Sequence, residues 1–293
     1  MKRIILFIFI LMLLFTGCAP SDPPAQIAAT TLPVYEFTLR LCEGTDITVT
    51  RLVTESVSCL HDYALNVRQT KAAEAAEVIV QSGAGLEDFL EDLLANKDVV
   101  IDASAGISIH CATDAHEHHD HEEHSHSHAQ DPHIWLSPEH AKVMAKNICA
   151  GLTARYPQYA HVFSANLDAL LADLDALQAY GEAQLSGLSC RELITFHDGF
   201  AYFAEAFGLT ILEAVEEESG SEASAKELKA LIQLTREHDL PAIFTETNGS
   251  CSAAEVIARE TGAKLFTLDM AMSGSSYFDA MYRNIDTIKE ALE

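Results

Sequence analysis

After Pro157, the residues Phe163, Leu167, Leu170, Leu171, Leu174 and Leu177 recur at helical spacing. They predict one helix over residues 158–185, about 40 Å long at 1.5 Å per residue. That is longer than a small α/β lobe, so the helix acts as a strut between two lobes. The flanking sequence agrees. Ahead of it, β-branched runs at 26–30, 47–53, 78–81 and 99–102 alternate with amphipathic segments at 34–42, 67–76 and 86–95. Asn66 with Gln69 forms a capping box for the second of these segments. Ser137 caps a helix that has Pro138 in its first position and runs to about residue 155. Behind the strut, strands at 193–196, 210–215, 242–246 and 264–268 alternate with helices at 200–207, 223–238, 253–261 and 277–292. Strands alternating with single helices imply parallel βαβ units covered on both faces. The expected fold class is α/β: two lobes, each a mainly parallel four-stranded sheet flanked by helices, joined by one long linker helix. His61-Asp62 and His197-Asp198 each follow a predicted strand, a two-letter echo between the halves.

The N-terminus reads as an address. Lys2 and Arg3 precede an apolar run from Ile4 to Phe15, too short for a bilayer span of ~20 residues and suited to a secretory signal. Phe15-Thr16-Gly17-Cys18 resembles a bacterial lipobox, in which the cysteine is acylated and becomes the mature terminus. Phe15 stands where that pattern usually has leucine. The expected organisation is signal peptide 1–17, proline-rich tether 18–25, N-terminal lobe 26–156, linker helix 157–187 and C-terminal lobe 188–293. An exported, lipid-anchored protein on a bacterial membrane follows, with the membrane reached through Cys18.

Acidic residues number 44 against 18 Lys plus Arg, a formal charge of −26. That excess repels phosphate backbones and excludes nucleic acid as a partner, while suiting a protein that handles cations. Outside the cytosol the six cysteines after Cys18 can form disulfides, and no Cys-x-x-Cys occurs. Cys190 precedes its strand and Cys251 follows one, which puts them at opposite sheet ends. Cys59 and Cys111 both sit at the carboxyl end of the first sheet and are the pair to test.

The fourteen histidines fall into two populations. Eight crowd into residues 110–128: His110, His116, His118, His119, His121, His124, His126 and His128, interleaved with acids. The segment lacks apolar periodicity, so it is a solvated loop whose imidazoles collect divalent transition metals weakly and in many arrangements. The sparse set is His61, His133, His140, His161, His197 and His238. In open α/β sheets, ligands sit at the carboxyl ends of strands. His61, His133 and His197 follow strands or their loops, and Asp269 follows residues 264–268 directly. Two come from each half, and all four face the opposite lobe. Three imidazoles and one carboxylate make a tetrahedral set that suits Zn²⁺. His140, His161 and His238 fall within predicted helices and are structural or surface residues.

The segments LHDYAL at 60–65, SGAGLEDFLEDLL at 82–94, DPHIWLSPEHAKVMAKNI at 131–148, TFHDGFAYFAEAFGL at 195–209 and LFTLDMAM at 265–272 resemble the zinc and manganese substrate-binding proteins of ABC importers. The resemblance covers nearly all of the mature chain in order. It implies two α/β lobes on one rigid helix, with the metal between them, and a membrane permease with its ATPase as partners. It matches His61, His133, His197 and Asp269 to the family's four ligand positions. Manganese-type members carry Glu where His197 stands, so the resemblance implies zinc, as does the histidine-rich loop. Leu60 departs from the Pro or Glu usual before the first ligand, which increases the dependence on Asp269; the Cys59 thiolate is a minor alternative ligand.

Asp62 or Asp198 could orient a ligating imidazole, although Asp198 equally suits a helix N-cap, and Glu246 points toward the cleft. The acidic stretch Glu213, Glu216, Glu217, Glu218 and Glu222 is a solvated loop with a possible docking role. The expected function is capture of extracytoplasmic Zn²⁺ by a monomeric, non-enzymatic protein. Its competitors are a Mn²⁺-type binder or adhesin of the same family and a zinc hydrolase. The last is weakened because no His-Glu-x-x-His or Gly-x-Ser-x-Gly occurs and Asp269 would close the fourth coordination position.

Overall fold

The computed structural model describes residues 25–57, 60, 63–110, 130–215, 224–247, 249 and 251–293. The first half lays down β1 (Ile27–Ala29), α1 (Leu32–Leu41), β2 (Val49–Arg51), α2 (Val67–Ala75), β3 (Val78–Gln81), α3 (Glu91–Leu94) and β4 (Val100–Asp102). Then come α4 (Pro138–Arg155) and the long α5 (Ala160–Leu185). The second half follows with β5 (Glu192–Thr195), α6 (Ala201–Phe207), β6 (Thr210–Ala214), α7 (Ala225–Glu237), β7 (Ala242–Glu246), α8 (Ser252–Thr261), β8 (Lys264–Leu268) and α9 (Tyr277–Leu292).

Each half forms a four-stranded sheet, ordered β2-β1-β3-β4 and β6-β5-β7-β8, with every pair parallel. The order is the same in both halves; His61 and Asp62, one side of the two-letter sequence echo, lie outside the described residues. In each sheet the crossovers reverse direction between the two central strands, and the crevice beyond their carboxyl ends is the topological switch point. The two-lobed α/β architecture expected from the sequence is present.

Local signals operate as read. The Asn66 side chain accepts from the backbone N–H groups of Arg68 and Gln69, and Gln69 returns a bond to Asn66 N. Ser137 accepts from His140 N at the start of α4. One helix differs. The segment expected at 86–95 opens as a 3₁₀ turn at Asp88–Leu90 and continues as the single short turn α3. Gly83, Ala84 and Gly85 all hold positive φ, and the Glu87 carboxylate folds back onto the N–H groups of Ser82 and Gly83. That carboxylate, buried under β3, delays the helix.

The strut buries Phe163, Leu170, Leu174 and Leu177 completely. It packs against α1 and α4 from the first half and α6 and α9 from the second. One continuous apolar core runs through both halves and includes Trp135, Phe203 and Tyr277. Hydrogen bonds cross the same seam. Tyr277 Oη donates to the Trp135 carbonyl at 2.8 Å, Tyr277 N donates to Glu36 Oε2 at 2.6 Å, and Arg51 donates to the Gly274 carbonyl at 2.8 Å.

Among the described residues no helix is long and apolar enough to cross a membrane. Cys42, Cys149, Cys190 and Cys251 are free thiols. Cys190 precedes β5 and Cys251 is the N-cap of α8, beyond β7. Cys18, Cys59 and Cys111 lie outside the described residues, as do the signal segment and most of the tether.

Candidate metal centre

His133 precedes a 3₁₀ turn, Ile134–Leu136, whose three side chains are all fully buried. That apolar turn, continued by the Ser137-capped α4, fixes the ring, which is only 3% exposed. His197 leaves β5 at the switch point of the second sheet, where Thr195 Oγ1 donates to the His197 carbonyl at 3.1 Å. The two imidazoles meet from opposite halves. Their Nε2 atoms lie 3.3 Å apart and their rings stand nearly perpendicular, at 87°.

Behind His133 sits Asp131, whose Oδ1 accepts from Nδ1 at 2.7 Å and from the His133 backbone N–H at 3.0 Å. A carboxylate at Nδ1 holds the proton there and leaves the Nε2 lone pair free for a cation. Behind His197 stands Glu246, the last residue of β7, with Oε1 3.9 Å from His197 Nδ1 and its side chain buried. The arrangement is therefore two converging Nε2 atoms, each backed by a buried carboxylate from its own half.

Asp269 follows β8 and its backbone is clamped by Asn284 of α9. The Asp269 N–H donates to Asn284 Oδ1 at 2.8 Å, and Asn284 Nδ2 donates to the Asp269 carbonyl at 2.7 Å. Asn284 is itself buried. The Asp269 carboxylate is engaged at both oxygens: Oδ1 accepts from Ala271 N at 2.8 Å, and Oδ2 faces the Arg283 guanidinium at 3.3 Å. Among the described residues no three His, Cys, Asp or Glu side chains form a cluster that could hold a metal ion. Asp269 is thus not gathered with the histidine pair into a ready-made three-ligand group.

His61 lies outside the described residues, as do Asp62, Cys59 and the loop histidines His116, His118, His119, His121, His124, His126 and His128. Leu60, next to His61, is buried in the core. His110 is described: its ring stacks on Tyr202, with Nε2 3.3 Å from Glu205 Oε2. Asp131 N donates to the His110 carbonyl at 3.0 Å, and Tyr202 Oη accepts from His110 N and donates to the Asp131 carbonyl. His110 is therefore tied to Asp131, the residue that orients His133, both directly and through Tyr202.

Of the remaining histidines, His140 packs edge-on to Tyr202 and His161 is exposed on α5. His238 caps the C-terminus of α7 and pairs with Glu192 at 2.9 Å. The N-cap of α6 is Phe200, not Asp198. Sequence reasoning missed Asp131 as the orienting carboxylate. Its signal was present in the Asp-x-His spacing of residues 131–133. Arg283 and Asn284 carried no local signal, because their contacts to Asp269 depend on how α9 docks.

A family model described as the periplasmic component A of the zinc-uptake complex, ZnuA, matches residues 27–291. The chain is 27% identical over 291 residues to the zinc-binding protein AdcA of Streptococcus pyogenes serotype M3, covering 92% of this chain and 56% of that protein. It thus spans about half the length of this curated relative. It is 29% identical over 280 residues to the high-affinity zinc uptake system protein ZnuA of Bacillus subtilis strain 168, covering 91% and 87% of the two chains. A crystal structure of a ZnuA superposes with a TM-score of 0.79 at 32% identity, over 92% of this chain and 100% of the other. The match to the family model runs through both sheets and the strut, and the chain belongs to the ZnuA family of zinc-uptake component A proteins.

Proposed function

We propose that this protein captures Zn²⁺ outside the cytoplasm, between its two halves, and delivers it to the membrane permease and ATPase of an ABC importer. The observation that carries the reading is the approach of His133 and His197, Nε2 to Nε2, from opposite halves, with Asp131 directing the first. His61 and Asp269 complete a set of three imidazoles and one carboxylate, which favours zinc over manganese. Four protein ligands leave no open position for an attacking water, so the protein is a carrier rather than a catalyst.

With the His133 proton held on Nδ1, the 3.3 Å contact is completed by a proton on His197 Nε2. Zinc binding requires that proton to leave Nε2, and Glu246 is the carboxylate placed to accept an Nδ1–H from His197. The names of the relatives, zinc-binding protein and high-affinity zinc uptake system protein, support the same cargo. Cys18 anchors the exported monomer by its lipid. The histidine-rich loop is an auxiliary, weaker collector of metal.

Zinc stoichiometry and competition with Mn²⁺, read by calorimetry and elemental analysis, test the reading. Deleting residues 112–129 should leave one tight zinc site, and His197→Ala should abolish that site. Tight binding that survives His197→Ala and is lost with the loop would refute capture between the halves.

A further inference from the structure

We infer that Arg283 is a counter-ion built into the site to weaken its hold on the cation and to receive Asp269 when the cation leaves; this rests on Asp269 being a zinc ligand. The carboxylate has two oxygens and both are engaged. Oδ1 is held by the Ala271 N–H, a contact fixed by the backbone that continues from β8. Among the described residues Oδ2 is held by Arg283 alone. The Asn284 clamp fixes the Asp269 backbone from both sides, so the carboxylate can respond to zinc by side-chain rotation, not by moving the chain.

Arg283 differs from Asn284 in its freedom. Its side chain is 67% exposed, whereas Asn284 is buried. A solvated guanidinium on a flexible stem can swing away from an arriving dication at little cost, and can return when the dication departs. A positive charge that close to a ligand carboxylate also opposes a second positive charge there. In a chain with formal charge −26 the general field attracts cations, so weakening has to be local. A carrier must release its cargo as well as bind it, and a returning guanidinium neutralises the carboxylate that the ion abandons. Arg283 is a positioning residue in this scheme, acting through Asp269 and never touching the ion.

The test is a double-mutant cycle on the full-length protein, using Zn²⁺ with competing chelators of graded affinity, together with zinc off-rates from chelator chase. Arg283→Gln should tighten zinc about two- to fivefold, the range expected of an exposed pair, and slow its release. The gain should shrink at high salt, which screens the guanidinium in the wild type. In an Asp269→Asn background, Arg283→Gln should change neither quantity. Unchanged or weaker binding in Arg283→Gln alone would overturn the inference, and so would an equal gain in both backgrounds. If Asp269→Asn binds zinc like the wild type while His197→Ala does not bind, Asp269 is no ligand; this inference then fails while capture by the histidines stands. If His197→Ala also binds normally, the proposed function itself has failed.

Discussion

The indole Nε1 of Trp135 donates to the carbonyl of Met270 at 2.7 Å, joining the first half of the chain to the second. Trp135 lies two residues beyond His133 and Met270 lies one beyond Asp269, so one bond fixes the separation of the segments that carry two of the proposed ligands. Trp135→Phe keeps most of the apolar volume and leaves a buried carbonyl without its donor. Stability should fall by about 1–3 kcal/mol, the cost of an unsatisfied buried polar group. Urea unfolding measures that loss, and zinc titration of the same variant should show weaker binding.

Asp131 touches no cation in this scheme, yet it sets the tautomer of His133. Asp131→Ala should weaken zinc roughly 10–100-fold while leaving the fold intact. Chelator competition reads the affinity and circular dichroism reads the fold. An unchanged affinity would mean that the 2.7 Å contact does not orient the ring.

Glu87 gives the fold a pH dependence apart from the histidines. Its carboxyl is buried at the first sheet's switch point, and burial raises its pKa from 4.5 to about 7, against the pull of bonds from Thr30, Ser82 and Gly83. The native state keeps a proton that the unfolded chain has already released. This contribution is therefore complete below pH 4.5 and is lost as pH rises through about 7. The loss is on the order of 3 kcal/mol. Urea unfolding at about pH 5 and about pH 8 should show this fall in the wild type and a flatter profile in Glu87→Gln.

Gly181 lies within the strut, where alanine would ordinarily stabilise by about 1 kcal/mol. Here a Cβ would stand 2.2 Å from Cε1 of the buried Phe207 ring. Overpacking of this kind costs ~1–3 kcal/mol, which outweighs the propensity gain. Gly181→Ala should therefore lower the melting temperature, as calorimetry would show.

Much of the fold was legible because periodicity and caps are local. Strands β3, β7 and β8 and helix α9 lie where the pattern of apolar residues puts them, and Asn66 and Ser137 cap as their neighbours dictate. The helix after β3 was misjudged because its register is set by Glu87, a polar side chain whose partners are buried in the tertiary structure. Of the candidate metal site, the sequence supplied His133 and His197 by their places after strands. It also pointed Glu246 at the cleft, but it did not single out Asp131, because burial and distance decide which of many acidic residues orients a ring.

The sequence by itself determined two parallel α/β units around a long helix, an acidic chain, and a set of candidate ligand residues that suits zinc. These follow from side-chain chemistry and from spacing along the backbone. The tertiary structure decided that His133 and His197 meet Nε2 to Nε2, that Asp131 holds one of them, and that Asp269 shares its carboxylate with Arg283. Each of those contacts joins side chains on different elements or needs a particular burial. The histidine contact exists only once both halves are packed against the strut, and the Asp269 contact only once α9 docks beside β8.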